Sequence, residues 1–294
     1  MLVLNDGGKI VIDKGVPRTY AAEFFGDRNP VSYSQSITAL TLARTLGKQG
    51  KPGDRALVFA DPVFKIDGTD RKAPGTMSVT ESEQKHNIET MIAMEEADHG
   101  LRFGRLKYTG PLAAQLEAIF TKDKTDCFTG LAATKNALLT TIAPTMNQYR
   151  SVVFATHGYF NKDNPRVREP ILALTCVPAG TDGLLRMSEV MCLKMNADIV
   201  ALTACQTGLG RVISGEGTMG MGRAFQYAGA KSVMMTLWSV AEKASVQMVE
   251  SFFRHVKEGK TKLEALRLAR KEIRDQGYDH PFFWAPFILV GEVD

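Results

Sequence analysis

Two residues of the chain, a histidine and a cysteine, have types and surroundings that suit acyl-transfer chemistry. His157-Gly158 directly follows the apolar run VVFAT, and Cys205-Gln206-Thr207-Gly208 directly follows IVALTA. A thiol attacks a carbonyl carbon as the thiolate, and an imidazole within reach can take its proton. The same imidazolium can then protonate the leaving amine. The backbone N–H groups of Gly158 and Cys205 are the candidate donors to the developing oxyanion, and glycine lets a substrate approach closely. Losing one such donor costs about 10²–10³ in rate. Taken singly, each residue has a plainer reading. A cysteine at a strand end is commonly a small buried hydrophobe, and His-Gly is commonly a turn. Their joint placement, after consecutive apolar runs roughly 50 residues apart, favours the chemistry.

That placement requires the two runs to be neighbouring strands. Six short runs rich in Val, Ile and Phe mark the strands: 56–60, 127–131, 152–156, 199–204, 232–238 and 287–290. They are nearly continuous in apolar residues, as strands buried on both faces are. Helical patterns lie between them, at 81–97 (with Thr80 and Glu83 as a capping box), 134–149 (interrupted by Pro144), 187–193, 219–228 (closed by Gly229), 244–257 and 262–276. Strands alternating with helices predict a doubly wound α/β fold around a six-stranded, mostly parallel sheet with helices on both faces. In such a sheet ligands lie beyond the carboxyl ends of the strands, where His157 and Cys205 stand. Neighbouring strands about 5 Å apart would bring the two side chains within reach.

Residues 1–50 read as a separate N-terminal unit packing on the core: a hairpin of 2–4 with 10–12, then a helix over 34–47. Residues 51–294 form the main domain. Within it, 61–79 reads as a loop, and 99–125 carries a further strand (101–108) and helix (111–120).

The 294 residues, a net charge of +4 and 44% apolar content describe an ordinary globular protein. No run of five Lys or Arg marks a nucleic-acid or membrane surface. No leader and no apolar stretch of 18 residues is seen, so the expected location is cytoplasmic, with no membrane partner and no direct nucleic-acid partner. Cys127, Cys176 and Cys192 lack a glycine-rich strand-end setting and read as reduced, structural thiols. His86, His99, His255 and His280 lie without a cysteine or acidic cluster at ligand spacing, so neither metal nor other cofactor is expected.

The segments VVFATHGYF, DGLL, ADIVALTACQTGLG, GEGTMGMGRAFQYAGAKSVMMTLWSV and HPFFWAPFILVG, with NPVSYSQSITAL near the N-terminus, resemble the CHAT family. These are caspase-like cysteine peptidases often joined to tetratricopeptide repeats. The likeness covers nearly the whole chain and is densest over 150–291. It implies the caspase/separase sandwich, with His157 and Cys205 at the family's catalytic positions. Caspases, too, place their histidine about 50 residues before the cysteine. The resemblance further implies a protein substrate, a regulatory repeat region or partner chain, and a role in prokaryotic defence or signalling. The segment Trp238, Ser239, Val240 would line the substrate cleft. Asp182, Glu216 or Glu242 could select a basic P1 side chain, as in separase-like relatives. The sequence departs from the family after the Leu-Trp pair, where a proline and two acids are common. Here Ser239, Val240 and Ala241 precede a single acid, Glu242.

Two other readings stay open. One is a non-catalytic CHAT-type interaction module, against which the intact His157 and Cys205 speak. The other is a dinucleotide site, because 215–220 spells G-x-G-x-x-G. That fingerprint belongs directly after the first strand of a βαβ unit, whereas about ten residues separate these glycines from Cys205. They are expected instead to shape the loop over the cysteine and to begin the helix at Met219.

Overall fold

The computed structural model describes residues 10–13, 16–19, 25–29, 31–34, 53–64, 103–160, 168–178, 181–203, 216–238 and 240–293. Cys205, Ser239 and the expected helices at 34–47 and 81–97 therefore fall, wholly or nearly so, outside the described residues.

Near the N-terminus, β1 (Ile10–Asp13) pairs antiparallel with β2 (Val16–Thr19), and a single helical turn α1 (Phe25–Arg28) follows. Residues 2–4 of the expected hairpin lie outside the described residues. Residues 10–12 pair forward, across the short Lys14-Gly15 connection, as a two-residue β-hairpin favours. The main domain begins with β3 (Arg55–Pro62). Then come α2 (Thr109–Phe120), β4 (Thr125–Gly130), β5 (Tyr149–Ala155) and a small sheet of β6 (Gly158–Tyr159), β7 (Ile171–Ala173) and β8 (Leu184–Arg186). The chain continues with α3 (Met187–Met191), β9 (Ile199–Leu202), α4 (Glu216–Tyr227), β10 (Ser232–Thr236), α5 (Glu242–Lys257), α6 (Lys262–Asp275), α7 (Pro281–Trp284) and β11 (Phe287–Gly291).

The expected six runs form one sheet in the order β11-β10-β9-β5-β3-β4, parallel throughout except for β11. Alternate residues of each strand feed two cores. Val58, Ala60, Val153 and Ala201 pack against α2, α5 and α6, with Leu112, Leu116, Val249, Phe252 and Ile273. Leu57, Phe59, Val152, Phe154 and Val200 pack on the opposite face, with Leu138, Met146, Met221 and Phe225. Burial on both faces is the reason the strands read as continuous apolar runs. Phe59 stacks on Phe128 of one neighbouring strand (4.9 Å between centroids) and on Phe154 of the other (5.6 Å). Each such pair adds about 0.5–1.5 kcal/mol beyond its burial and resists a slip of register.

Two expected elements differ. Residues 134–149 do not form one α-helix: Ala137–Ile142 is a wide π-turn segment and Ala143–Gln148 a 3₁₀ segment. Pro144 lacks an N–H and its ring crowds the preceding turn, so the regular ladder cannot run through it. Residues 103–108 form no strand. Their polar groups bond instead to side chains at the carboxyl edge of the sheet.

Candidate active site

β5 and β9 lie side by side and parallel, with Ser151 opposite Ile199 and Phe154 opposite Leu202. Every pair in this ladder is 48 positions apart (199 − 151 and 202 − 154), and so are His157 and Cys205 (205 − 157). The ladder is prolonged one residue past β9 by the Thr203 N–H, which donates to the Phe154 carbonyl at 3.2 Å.

His157 stands just beyond β5 and is 6% exposed. Its Nε2 lies 2.7 Å from the Gly104 carbonyl oxygen. A carbonyl only accepts, so the neutral ring carries its proton on Nε2 and leaves Nδ1 as the basic nitrogen. Nδ1 is buried with no hydrogen-bond partner among the described residues. Phe103 stacks on the ring at 5.5 Å and Phe64 leans on it at 5.5 Å. Burial among these rings disfavours the imidazolium and lowers the pKa below 6.5, outweighing the Gly104 bond, which acts the other way. The ring is thereby held neutral, as a general base must be.

The Thr203 and Thr236 hydroxyls are likewise buried without a hydrogen-bond partner among the described residues, at the carboxyl ends of β9 and β10. Buried polar groups are normally bonded, and where they go without, a functional edge is a common reason. Gly158, in β6, is buried and opposes Leu172, and the His157 carbonyl accepts from the Ala173 N–H at 2.8 Å. The small sheet β6-β7-β8 thus fixes the backbone on the far side of the imidazole.

The expected substrate-lining residues are placed as follows. Trp238, just past β10, is 36% exposed and donates from Nε1 to the Phe282 carbonyl at 3.0 Å. Val240 packs partly buried against the core under α5. Glu242 opens α5 and reaches to the start of α2. Its Oε1 accepts from the Tyr108 N–H at 2.5 Å, and the nearby backbone amides of Lys107 and Thr109 also favour the ionised carboxylate. Asp182 is held by Lys135 (2.6 Å) and Arg186 (2.8 Å), which bring its pKa down to about 2 despite the opposing effect of burial. The acids Asp182 and Glu242 are thus already bound within the protein. The G-x-G-x-x-G stretch does not form a phosphate-cradling loop after a strand, because α4 begins at Glu216 and includes Gly217 and Gly220.

The sequence reading missed the segment 103–109 that backs His157. Only its aromatic and glycine content (Phe103, Gly104) hinted at a site. Among the other thiols, burial raises that of Cys127 to about 11 and lifts that of Cys176 too, so neither forms a thiolate readily, while Cys192 is exposed. No group of three or more His, Cys, Asp or Glu side chains suited to a metal ion occurs among the described residues. No helix among them is long and apolar enough to cross a membrane.

The architecture is mixed α/β with a polar edge at the carboxyl ends of its strands, and the CHAT domain family model matches residues 9–292. The chain belongs to the CHAT domain family. Over 139 residues, 46% of its length, it is 29% identical to tetratricopeptide repeat protein 28 of Mus musculus and 28% identical to that of Homo sapiens. The matched stretch is 6% of each of those proteins. Among solved structures it is similar to separase in the Saccharomyces cerevisiae separase–securin complex, with a TM-score of 0.45 and 13% identity over 90% of this chain and 14% of that one. It is also similar to the Arg-specific cysteine proteinase gingipain R, with a TM-score of 0.46 and 11% identity over 88% of this chain and 52% of that one.

Proposed function

We propose that the chain is a cysteine endopeptidase in which His157 is the general base and Cys205 the nucleophile. The supporting observation is the shared interval of 48, which sets position 205 opposite position 157 if the β5–β9 pairing is carried forward. His157 Nδ1 takes the Cys205 proton. The thiolate forms a C–S bond to the scissile carbonyl carbon, and the C=O electron pair moves to oxygen. The Gly158 and Cys205 N–H groups stabilise that oxyanion. On collapse the C–N bond breaks and the imidazolium gives its proton to the leaving amine. Water then attacks the thioester, with His157 again as base, releasing the acid and restoring the thiol. No cofactor enters this cycle.

In this reading Trp238, Ser239 and Val240 border the substrate. The repeat-containing relatives suggest that a tetratricopeptide-type region or partner chain governs access, and that the setting is a regulated intracellular pathway. A prokaryotic defence or signalling role is the one the family resemblance favours.

A second reading has its own support. His157 is covered by Phe64 and Phe103, which suits a non-catalytic interaction module unless the edge opens. Cleavage of a fluorescently labelled unfolded casein, with and without candidate partner chains, separates the two. Cys205→Ala is expected to abolish cleavage while leaving the thermal midpoint within about 2 °C, the shift expected from under 1 kcal/mol. Cleavage that survives Cys205→Ala would refute the peptidase reading.

A further inference from the structure

We propose that Glu242, together with the Asp61–Arg105 ion pair, positions His157 by fixing the segment that carries the Gly104 carbonyl. This deepens the peptidase reading and rests on it for its catalytic meaning.

The connection is continuous. Gly104 holds Nε2 of His157 and Phe103 stacks on its ring. One residue on, Arg105 grips Asp61 at the end of β3 through two bonds, Nε to Oδ1 at 3.1 Å and a terminal nitrogen to Oδ2 at 3.3 Å. Both side chains are close to buried, 10% and 12% exposed. The Thr109 hydroxyl donates to the Leu106 carbonyl at 3.1 Å and accepts from the Asp61 N–H at 3.0 Å. At the far end the Glu242 carboxylate accepts from the Tyr108 N–H, close to the backbone amides of Lys107 and Thr109. Tyr108, the residue before α2, gives that helix no side-chain cap, so a carboxylate from α5 serves its first turn. The segment behind the imidazole is therefore tied at Arg105 to strand β3 and at Tyr108 to helix α5.

A plain capping role explains this less well than positioning does. Burial raises the Glu242 pKa to about 7, against the backbone amides of 107–109, and Asp61 adds to the rise. The charged group acting on it is Asp61 from β3, itself held by Arg105, while Lys243 of α5 lies over the Tyr108 ring. A raised carboxyl pKa means that the fold disfavours the ionised form. The penalty is full above pH 7 and fades as pH falls towards the ordinary value near 4.5. A buried ion pair is, likewise, weak support for stability compared with apolar packing. Groups kept at a cost to stability beside a catalytic base are characteristic of function.

Glu242→Gln and Asp61→Asn are near-isosteric, and asparagine tolerates the left-handed backbone at position 61 (φ 46°). Two readouts apply to both: the ¹⁵N NMR tautomer of His157 at pH 8, and kcat and KM for casein cleavage. The wild type is expected to show one tautomer, protonated on Nε2. The variants are expected to show mixed tautomers, with kcat down about tenfold or more and KM within about twofold, the signature of a base displaced by a fraction of an ångström. At pH 8 Glu242→Gln is expected to be no less heat-stable than wild type. Wild-type tautomer and kcat in the variants would overturn the proposal, whatever happens to stability. If one variant does not fold, the other decides. Because the tautomer is read without turnover, an intact tautomer effect in a protein that cleaves nothing would sink the peptidase reading alone.

Discussion

The surroundings of each nitrogen of His157 suit it to the proposed role of base. Gly104 fixes the proton on Nε2, leaving Nδ1 its lone pair, and the ring cluster keeps the imidazole neutral. With its pKa lowered by burial, His157 remains unprotonated as the pH falls through 6.5. The sign for stability is the reverse. The folded state resists taking up that proton, so stability is lost as the pH falls below 6.5. In Cys205→Ala protein, an NMR titration of His157 is expected to give a midpoint below 6.5. A midpoint at or above 6.5 would show that the ring is not enclosed as described. His157 was legible in the sequence because it directly follows a buried apolar run. The role of Glu242 was not. Its contact with Tyr108 spans 134 positions, and no local pattern records such a pairing. The acid was read by resemblance as a substrate contact, while its carboxylate in fact meets the start of α2.

At the scale of elements, both-face burial writes itself into composition, and it made five strands of the main sheet legible; the edge strand β4 is only partly buried and was read from its short run alone. Helix ends were legible where a single residue type dictates them. Gly229, closing α4, has φ 112°, and a Cβ there would stand 2.0 Å from the Met195 carbonyl oxygen. Gly229→Ala is accordingly expected to destabilise the fold by about 2 kcal/mol or more in urea denaturation, and a change under about 0.5 kcal/mol would contradict that packing. Elements shaped by distant partners were harder to read. Residues 103–108 have the apolar content of a strand, yet their backbone N–H and C=O groups are taken by His157, Glu242 and the Thr109 hydroxyl. The stretch 137–148 has helical periodicity, yet Pro144 breaks its regular bonding.

For the molecule as a whole, the proposed chemistry lies at the edge where the parallel strands β5, β9 and β10 end together. Near the N-terminus, Asp27 and Tyr33 join α6 and the lateral β11 edge of the sheet. Tyr33 pairs with β11, accepting from Gly291 at 3.0 Å and donating to Leu289 at 2.8 Å, and Asp27 holds Arg274 of α6 through two bonds of 2.7 and 2.8 Å. The central claim concerns one proton shared between two side chains on the carboxyl edge. It is tested most directly by the pH dependence of iodoacetamide alkylation at Cys205, followed by peptide mass spectrometry in a Cys192→Ser background to remove the exposed thiol. Cys205 is expected to react well below the ordinary thiol range near pH 8.5, and His157→Ala is expected to return it to that range. A Cys205 that titrates as an ordinary thiol, with the same profile whether or not His157 is present, would contradict the pairing.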